Sequence, residues 1–302
     1  MGFLDRLAVS SLPLIPGPLM RAVADCYIAG ETLEEALAAI ERNRARGFGG
    51  VLDLLGEEID TEAGAWRVAG EYCRSATLLH ARGLDAYVSI KPTHVGLRIA
   101  EDLAHGCFDR VARHTAPLGQ IVRVEMEDRT TTDATLRIFA RLRRDHDNVG
   151  VVLQSRLFRT PADVDTLAPG FVSVRMVKGI YLEPAAVAHV DRAAISDAFV
   201  AASRRLFQRG AHVAFGTHDG PLAARLIALV RELAVPADRY EFEVLMGIQP
   251  RLWDEWREAG HRVRVYVPYG PEWRAYSTRR LRKNPEIFRH VARQLLGRIA
   301  GK

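Results

Sequence analysis

Apolar, β-branched runs of strand length recur along the chain in "GGVLDLL" (49–55), "DAYVSIK" (85–91), "QIVRVEME" (120–127) and "NVGVVLQ" (148–154). Four more follow in "FVSVRMV" (171–177), "AHVAFGTH" (211–218), "YEFEVL" (240–245) and "RVRVYVP" (262–268). Between them lie amphipathic patterns such as "TLEEALAAIERNRARG" and "ISDAFVAASRRLFQRG", each with a polar start and a glycine stop. The strand starts recur about every 30 residues, the size of one βα unit. Eight such units with no linker and no shift in composition predict an α/β protein built as a (β/α)8 barrel, residues 48–302. A doubly wound open sheet is the alternative, but no GxGxxG follows the first strand. Residues 1–47 read as an N-terminal helical segment of one or two extra helices that plug or flank the barrel.

Composition agrees with one large globular unit: 302 residues, 48% of them hydrophobic, suffice for a sizeable core. The N-terminal stretch "LAVSSLPLIPGPLM" is broken by three prolines, so it reads neither as a signal peptide nor as a membrane span. A cytoplasmic protein is expected. Cys26, Cys73 and Cys107 stand far apart without metal-ligand spacing and are expected to be reduced. Redox chemistry must then come from a cofactor. The net charge of +5 permits contact with nucleic acid or an anionic membrane surface. The arginines are scattered along amphipathic helices, with no basic tail and no helix-turn-helix pattern, so nucleic acid is not an expected partner.

In a barrel of this kind, the C-terminal strand ends and the loops after them surround one mouth. The polar residues placed there are Lys91, Glu125, Glu127, Asp128, Gln154, Arg175, Lys178, Thr217, His218, Asp219 and Tyr266, with Glu241 and Glu243 inside the seventh strand. A carboxylate in a strand otherwise made of Val, Ile and Met is costly to bury alone, so Glu125 is expected to face a cation. The stretch "YVPYGPEWRAYSTRRLRKNP" supplies candidates. Its helix starts at Gly270 and Pro271 and stops at Pro285. Tyr276, Arg279, Arg280 and Lys283 fall on one face about 100° wide, positioned to lean over the mouth. Arginine forks match a carboxylate in bidentate fashion, and Lys91 adds a point charge, so the mouth suits a small carboxylate or a phosphate-bearing cofactor. Other readings of single residues stay open. Lys91 or Lys178 as a Schiff-base nucleophile needs a desolvated amine, and His218 as a metal ligand lacks a paired histidine. Asp53 and Glu57 either belong to the site or simply tie the barrel bottom or the first helix start, and both readings stay open. A non-catalytic basic barrel that binds nucleic acid or a protein partner is the alternative from another class.

The motifs "VLDLLGE", "LQSRL", "VRMVKGIY", "THD", "FEVLMGI", "RVYVPYG" and "YSTRRLRKNP", in this order over most of the chain, resemble the proline dehydrogenase family of FAD-dependent barrels. The resemblance implies oxidation of L-proline to Δ1-pyrroline-5-carboxylate by hydride transfer to the flavin, with electrons passed to a quinone. It makes Arg279, Arg280 and Lys91 the carboxylate clamp, and Tyr266 and Tyr276 the residues beside the proline ring. Gln154, Arg175, Lys178, Gly179, Thr217 and His218 become FAD contacts. It further implies transient contact with a membrane surface and a separate pyrroline-5-carboxylate dehydrogenase downstream; another cyclic imino acid, such as hydroxyproline, is the alternative substrate. Three positions depart from the family pattern: Glu125 replaces an aspartate, Lys283 a glutamate, and Arg156 a tyrosine.

Overall fold

Strand β1 (Gly49–Leu54) pairs in parallel with β2 (Ala86–Ile90) on one side and with β8 (Val263–Tyr269) on the other, closing the sheet. Between them run β3 (Val122–Val124), β4 (Val149–Gln154), β5 (Ser173–Val177), β6 (His212–Gly216) and β7 (Tyr240–Leu245), all parallel and in sequence order. Helices precede and separate the strands: α1 (Leu33–Ala45), α2 (Glu62–Ala81), α3 (Glu101–Thr115), α4 (Thr132–Asp145), α5 (Thr160–Thr166), α6 (Arg192–Gln208), α7 (Gly220–Glu232) and α8 (Pro250–Glu258). This computed structural model describes residue 21, residues 24–274 and residue 277. The (β/α)8 expectation is met. The helix read between Gly270 and Pro285 lies outside the described residues except at its start.

Two cores share one sheet, because successive strand residues point to opposite faces. Outward positions such as Val88, Ile90, Val122, Val124, Val174, Met176, Phe242, Val244, Val265 and Val267 are buried in a continuous apolar layer against the helices. Inward positions are a different population: Tyr87, Ser89, Arg123, Arg175, Glu241, Glu243 and Arg264, all buried. Barrels of this class are more often filled by branched aliphatic side chains. Here the lumen is ionic.

Local chemistry sets the element ends. Thr32 accepts from the Glu35 amide while the Glu35 carboxylate accepts from the Thr32 amide, a reciprocal cap that starts α1. Asp191 accepts from the Ala194 amide, so α6 begins at Arg192, ahead of the apolar run read from Ile195. The third strand is shorter than its apolar run. Glu125 donates its amide to Ile90, after which Glu127 turns aside to accept from the Thr93 amide (2.9 Å) and hydroxyl (2.7 Å).

The segment before α1 is seated on the C-terminal end of the barrel. Ala29 donates to the Pro268 carbonyl, and Gly270 donates to the Gly30 carbonyl. Gly247, in the loop after β7, has φ +76°, and a Cβ there would lie 1.6 Å from the Cys26 carbonyl oxygen. Both the backbone region and the space demand glycine. Gly247→Ala is therefore expected to lower stability by more than ~1 kcal/mol and to loosen residues 24–30, read as a lower Tm and faster proteolysis there. Among the described residues, no helix is long and apolar enough to cross a membrane.

Candidate active site

Arg175 occupies the centre of the lumen, and each of its guanidinium nitrogens is engaged by a different group. Nε donates to Glu243 of β7, and Nη1 donates to Glu125 at the end of β3. Nη1 also lies 3.4 Å from the Ser89 hydroxyl, and Nη2 lies 3.3 Å from the Tyr87 hydroxyl, both on β2. The guanidinium packs over the Tyr266 ring, 5.1 Å from its centroid. Arginine's planar fork makes such multi-strand pairing possible, and the low dielectric of the lumen makes each pair strong.

Glu125 is held from two further directions. Ser89 donates to it at 2.6 Å and Tyr266 at 3.1 Å, beside the ion pair to Arg175. Burial pushes its carboxyl upward, but the Arg175 charge and these hydrogen bonds outweigh that and hold it below its ordinary value. The cation expected opposite Glu125 is therefore met, among the described residues, by Arg175 of β5. Arg279 and Arg280, to which the sequence reading gave that part, lie outside the described residues, as do Tyr276 and Lys283.

Lys91 stands immediately after β2 and donates to both carboxylate oxygens of Asp53, each at 2.9 Å. Asp53 is thus at the mouth, at the end of β1. Of the two readings left open for it, this pairing favours a place among the mouth residues over a tie at the barrel bottom. Burial raises its carboxyl, with Lys91 pulling the other way. The remaining predicted residues collect on the neighbouring arc. Gln154 donates to the Glu127 carbonyl (2.8 Å), Lys178 pairs with Asp219 (2.5 Å), Thr217 accepts from the Asp219 amide (3.1 Å), and His218 accepts from the Leu245 amide (3.2 Å). Gly179 has φ +94°, and a Cβ there would sit 2.6 Å from the Gln154 amide oxygen and 3.0 Å from the Arg156 side chain. Arg156 runs beneath this glycine and donates to the Tyr181 carbonyl, so it braces the loop after β5. Among the described residues, no group of three His, Cys, Asp or Glu side chains is arranged to hold a metal. A recess of about 690 Å3 lies elsewhere, between α2 and α3, lined by Trp66, Cys73, Arg110 and Arg113. It is on the outer wall, away from this chemistry.

A second ionic layer lies beneath the first. Glu243 accepts from the Tyr87 hydroxyl and is 3.8 Å from Arg123, whose guanidinium also donates to the Ser173 carbonyl (2.7 Å) and hydroxyl (3.0 Å). Arg264 donates to Glu241 (3.1 Å) and reaches Asp85 (3.1 Å). Burial pushes Tyr87 up to about 12, so it stays a donor. Sequence reasoning placed Glu241 and Glu243 in β7 but gave them no role, and it passed over Tyr87, Ser89, Arg123 and Arg264. The signal was available: in "AYVSI", "VRVE", "SVRMV", "YEFEV" and "VRVY", polar residues occupy alternate, inward positions.

With the site in view, comparison with known proteins becomes informative. A family model described as "Proline dehydrogenase" matches residues 36–293. The chain belongs to the proline dehydrogenase family. It is 35% identical over 285 residues to a proline dehydrogenase of Deinococcus radiodurans, covering 91% of this chain and 90% of that one. It is 31% identical over 270 residues to proline dehydrogenase 1 of Bacillus subtilis strain 168, covering 89% of each. A crystal structure of proline utilization A from Bdellovibrio bacteriovorus, inactivated by N-propargylglycine, superposes with a TM-score of 0.79 at 23% identity. That match covers 87% of this chain and 32% of the other, and it shows the fold alone. As a proline dehydrogenase family member, the chain is an oxidoreductase.

Glu243 gives this site a pH signature. Burial opposes its charge, but Arg175 and Arg123 prevail and hold its carboxyl at about 2, below the ordinary 4.5. A depressed carboxyl contributes stability that is fully present above its unfolded value and is lost as pH falls through the folded one. Glu243→Gln is accordingly expected to unfold with a urea midpoint less dependent on pH between 4.5 and 2 than the parent chain's.

Proposed function

We propose that this chain oxidises L-proline to Δ1-pyrroline-5-carboxylate with FAD as its cofactor and passes the electrons to a quinone. The observation that carries this reading is Arg175, a guanidinium buried in the lumen of a proline dehydrogenase-family barrel and paired with Glu125 at the end of β3, with Gln154 and Gly179 in contact on the neighbouring arc. These residues fit a flavin. A buried cation suits the electron-rich edge of an isoalloxazine, and Gly179, at φ +94°, lets the backbone after β5 pass close over Gln154 and Arg156, which holds that loop against the end of β4. Arg175, Gln154, Lys178, Gly179, Thr217 and His218 would hold it. FAD, when bound, supplies the two-electron oxidation of the substrate's C–N bond.

The chain's own residues then bind and orient. Arg279 and Arg280, with Lys91, take the substrate carboxylate. Tyr266 and Tyr276 flank the ring, and Glu125 fixes the Tyr266 hydroxyl by accepting its hydrogen bond at 3.1 Å. Closing charged groups around a small zwitterion strengthens each contact by excluding water. Residues 48–302 form the catalytic barrel in this reading, with 1–47 as a helical segment ahead of it.

A cytoplasmic enzyme reaching a quinone must meet a membrane surface. Two facing loops at the mouth support that contact. Phe158 donates its amide to the Val187 carbonyl, His189 donates to the Arg156 carbonyl, and the Phe158 and His189 rings meet edge to face. Together the loops expose Phe158, Ile180, Leu182, Val187 and Val190. Glu183, the one carboxylate between Gly179 and Val190, is turned inward, accepting from the Arg129 amide at 2.8 Å. The product requires further oxidation by a separate pyrroline-5-carboxylate dehydrogenase.

Two experiments test the reading. The purified protein should show a visible flavin band that anaerobic L-proline bleaches; Arg280→Ala should keep the band and raise the proline concentration needed by roughly 10- to 100-fold, the worth of one charge-assisted contact. Bleaching by another cyclic imino acid but not by proline moves the substrate, and a colourless protein after FAD addition removes the cofactor. Sedimentation with anionic lipid vesicles should retain the parent chain and lose Leu182→Asp, whereas equal retention of both would discount the loop surface.

A further inference from the structure

The structure assigns Glu243 as the residue that aims Arg175. Arg175 reaches the lumen from β5, and its long side chain has no fixed direction of its own. Two carboxylates and two hydroxyls set it. Glu125 and Ser89 share Nη1, Tyr87 lies by Nη2, and Glu243 alone takes Nε. The Nε contact matters most for orientation, since it fixes rotation of the guanidinium plane about the bond that carries it. Glu243 is itself held, by the Tyr87 hydroxyl on Oε1 and by Arg123 at 3.8 Å. It thus transmits the rigidity of β2 and β3 to a side chain on β5 from a position on β7.

Charge follows the same path. Glu243 stands between two guanidinium groups, Arg175 above and Arg123 beneath. Removing its charge while keeping its shape leaves those cations facing each other across a buried space, with Glu125 the remaining carboxylate on Arg175 among the described residues. The potential at the mouth becomes more positive, which favours an electron-accepting group there in its reduced state. Glu243 touches neither substrate nor cofactor in this account and acts only through Arg175. The redox consequence rests on the FAD reading above; the aiming of Arg175 does not.

The test separates aiming from mere packing. Glu241→Gln is the control, since Glu241 is as deeply buried on the same strand but pairs with Arg264 instead of Arg175. In the cofactor-free protein, the Arg175 Nε–H resonance, identified by its loss in Arg175→Lys, should exchange slowly with solvent. That protection should be lost in Glu243→Gln and kept in Glu241→Gln. In the FAD-loaded protein, Glu243→Gln should shift the flavin midpoint potential to more positive values and lower kcat by on the order of tenfold, with KM for proline little changed. Glu243→Asp should recover part of both. Wild-type Nε–H exchange and wild-type potential in Glu243→Gln, with only Tm lowered, would reduce Glu243 to a structural ion pair. Should Glu243→Gln not fold, Tyr87→Phe removes the hydroxyl that holds both Glu243 and Nη2 without removing a charge. It should speed Nε–H exchange as well, and unchanged exchange would overturn the proposal. If the folded parent chain takes up no FAD, the cofactor reading fails, and the exchange experiment still decides the aiming.

Discussion

Charged groups inside the barrel must neutralise one another, and that constraint governs the rest of the structure. Removing an ion from water costs several kcal/mol even after relaxation, which a partner at hydrogen-bond distance offsets only when geometry is good. Arg175 meets the condition by spreading its donors over three strands. Arg123 meets it through Ser173, Tyr87 and Glu243, and Arg264 through Glu241 and Asp85. The partners lie on strands other than the arginine's own or at their ends, so the ion pairs specify strand order and register at the same time as they neutralise charge. A one-residue slip of β7 would turn Glu241 and Glu243 outward into the aliphatic layer and leave the arginines unpaired.

The apolar layer does complementary work. Outward valines and isoleucines bind the sheet to its helices by non-directional burial, which tolerates small shifts. The lumen supplies the directional contacts that burial lacks. This division explains how a site can be rigid where Arg175 and Glu125 sit and still open upward into loops such as 178–191. Those loops are braced by scattered contacts, among them Arg156 on the Tyr181 carbonyl and Phe158 on the Val187 carbonyl.

Much of this was legible in the sequence. The eight runs, their spacing and their polar ends gave the barrel and put Lys91, Glu125, Gln154, Arg175 and Tyr266 around one mouth. Asp53 stayed open because "VLDLL" carries a single charge in an apolar run and its partner is not local; its meaning comes from Lys91, 38 residues away. The partner of Glu125 was sought in the last helix because the paired arginines there are conspicuous. Arg175 is one arginine in a strand, and only closure of the sheet brings it across from Glu125. Glu243 went unassigned for the same reason: its contacts lie 68 residues away on Arg175 and 156 on Tyr87, a separation that no local pattern encodes.

The linked contacts of the lumen have a further consequence for how the sequence can change. Four cations, Lys91, Arg123, Arg175 and Arg264, face four carboxylates, Asp53, Glu125, Glu241 and Glu243, through direct ion pairs. A single substitution at any of the eight strands a charge in the dry interior, whereas a compensated pair of substitutions does not. These residues are therefore free to drift only together. Change at this site should enter as coupled exchanges across strands, such as Lys91 and Asp53 replaced together by a neutral pair, and the history of the site would be written in pairs.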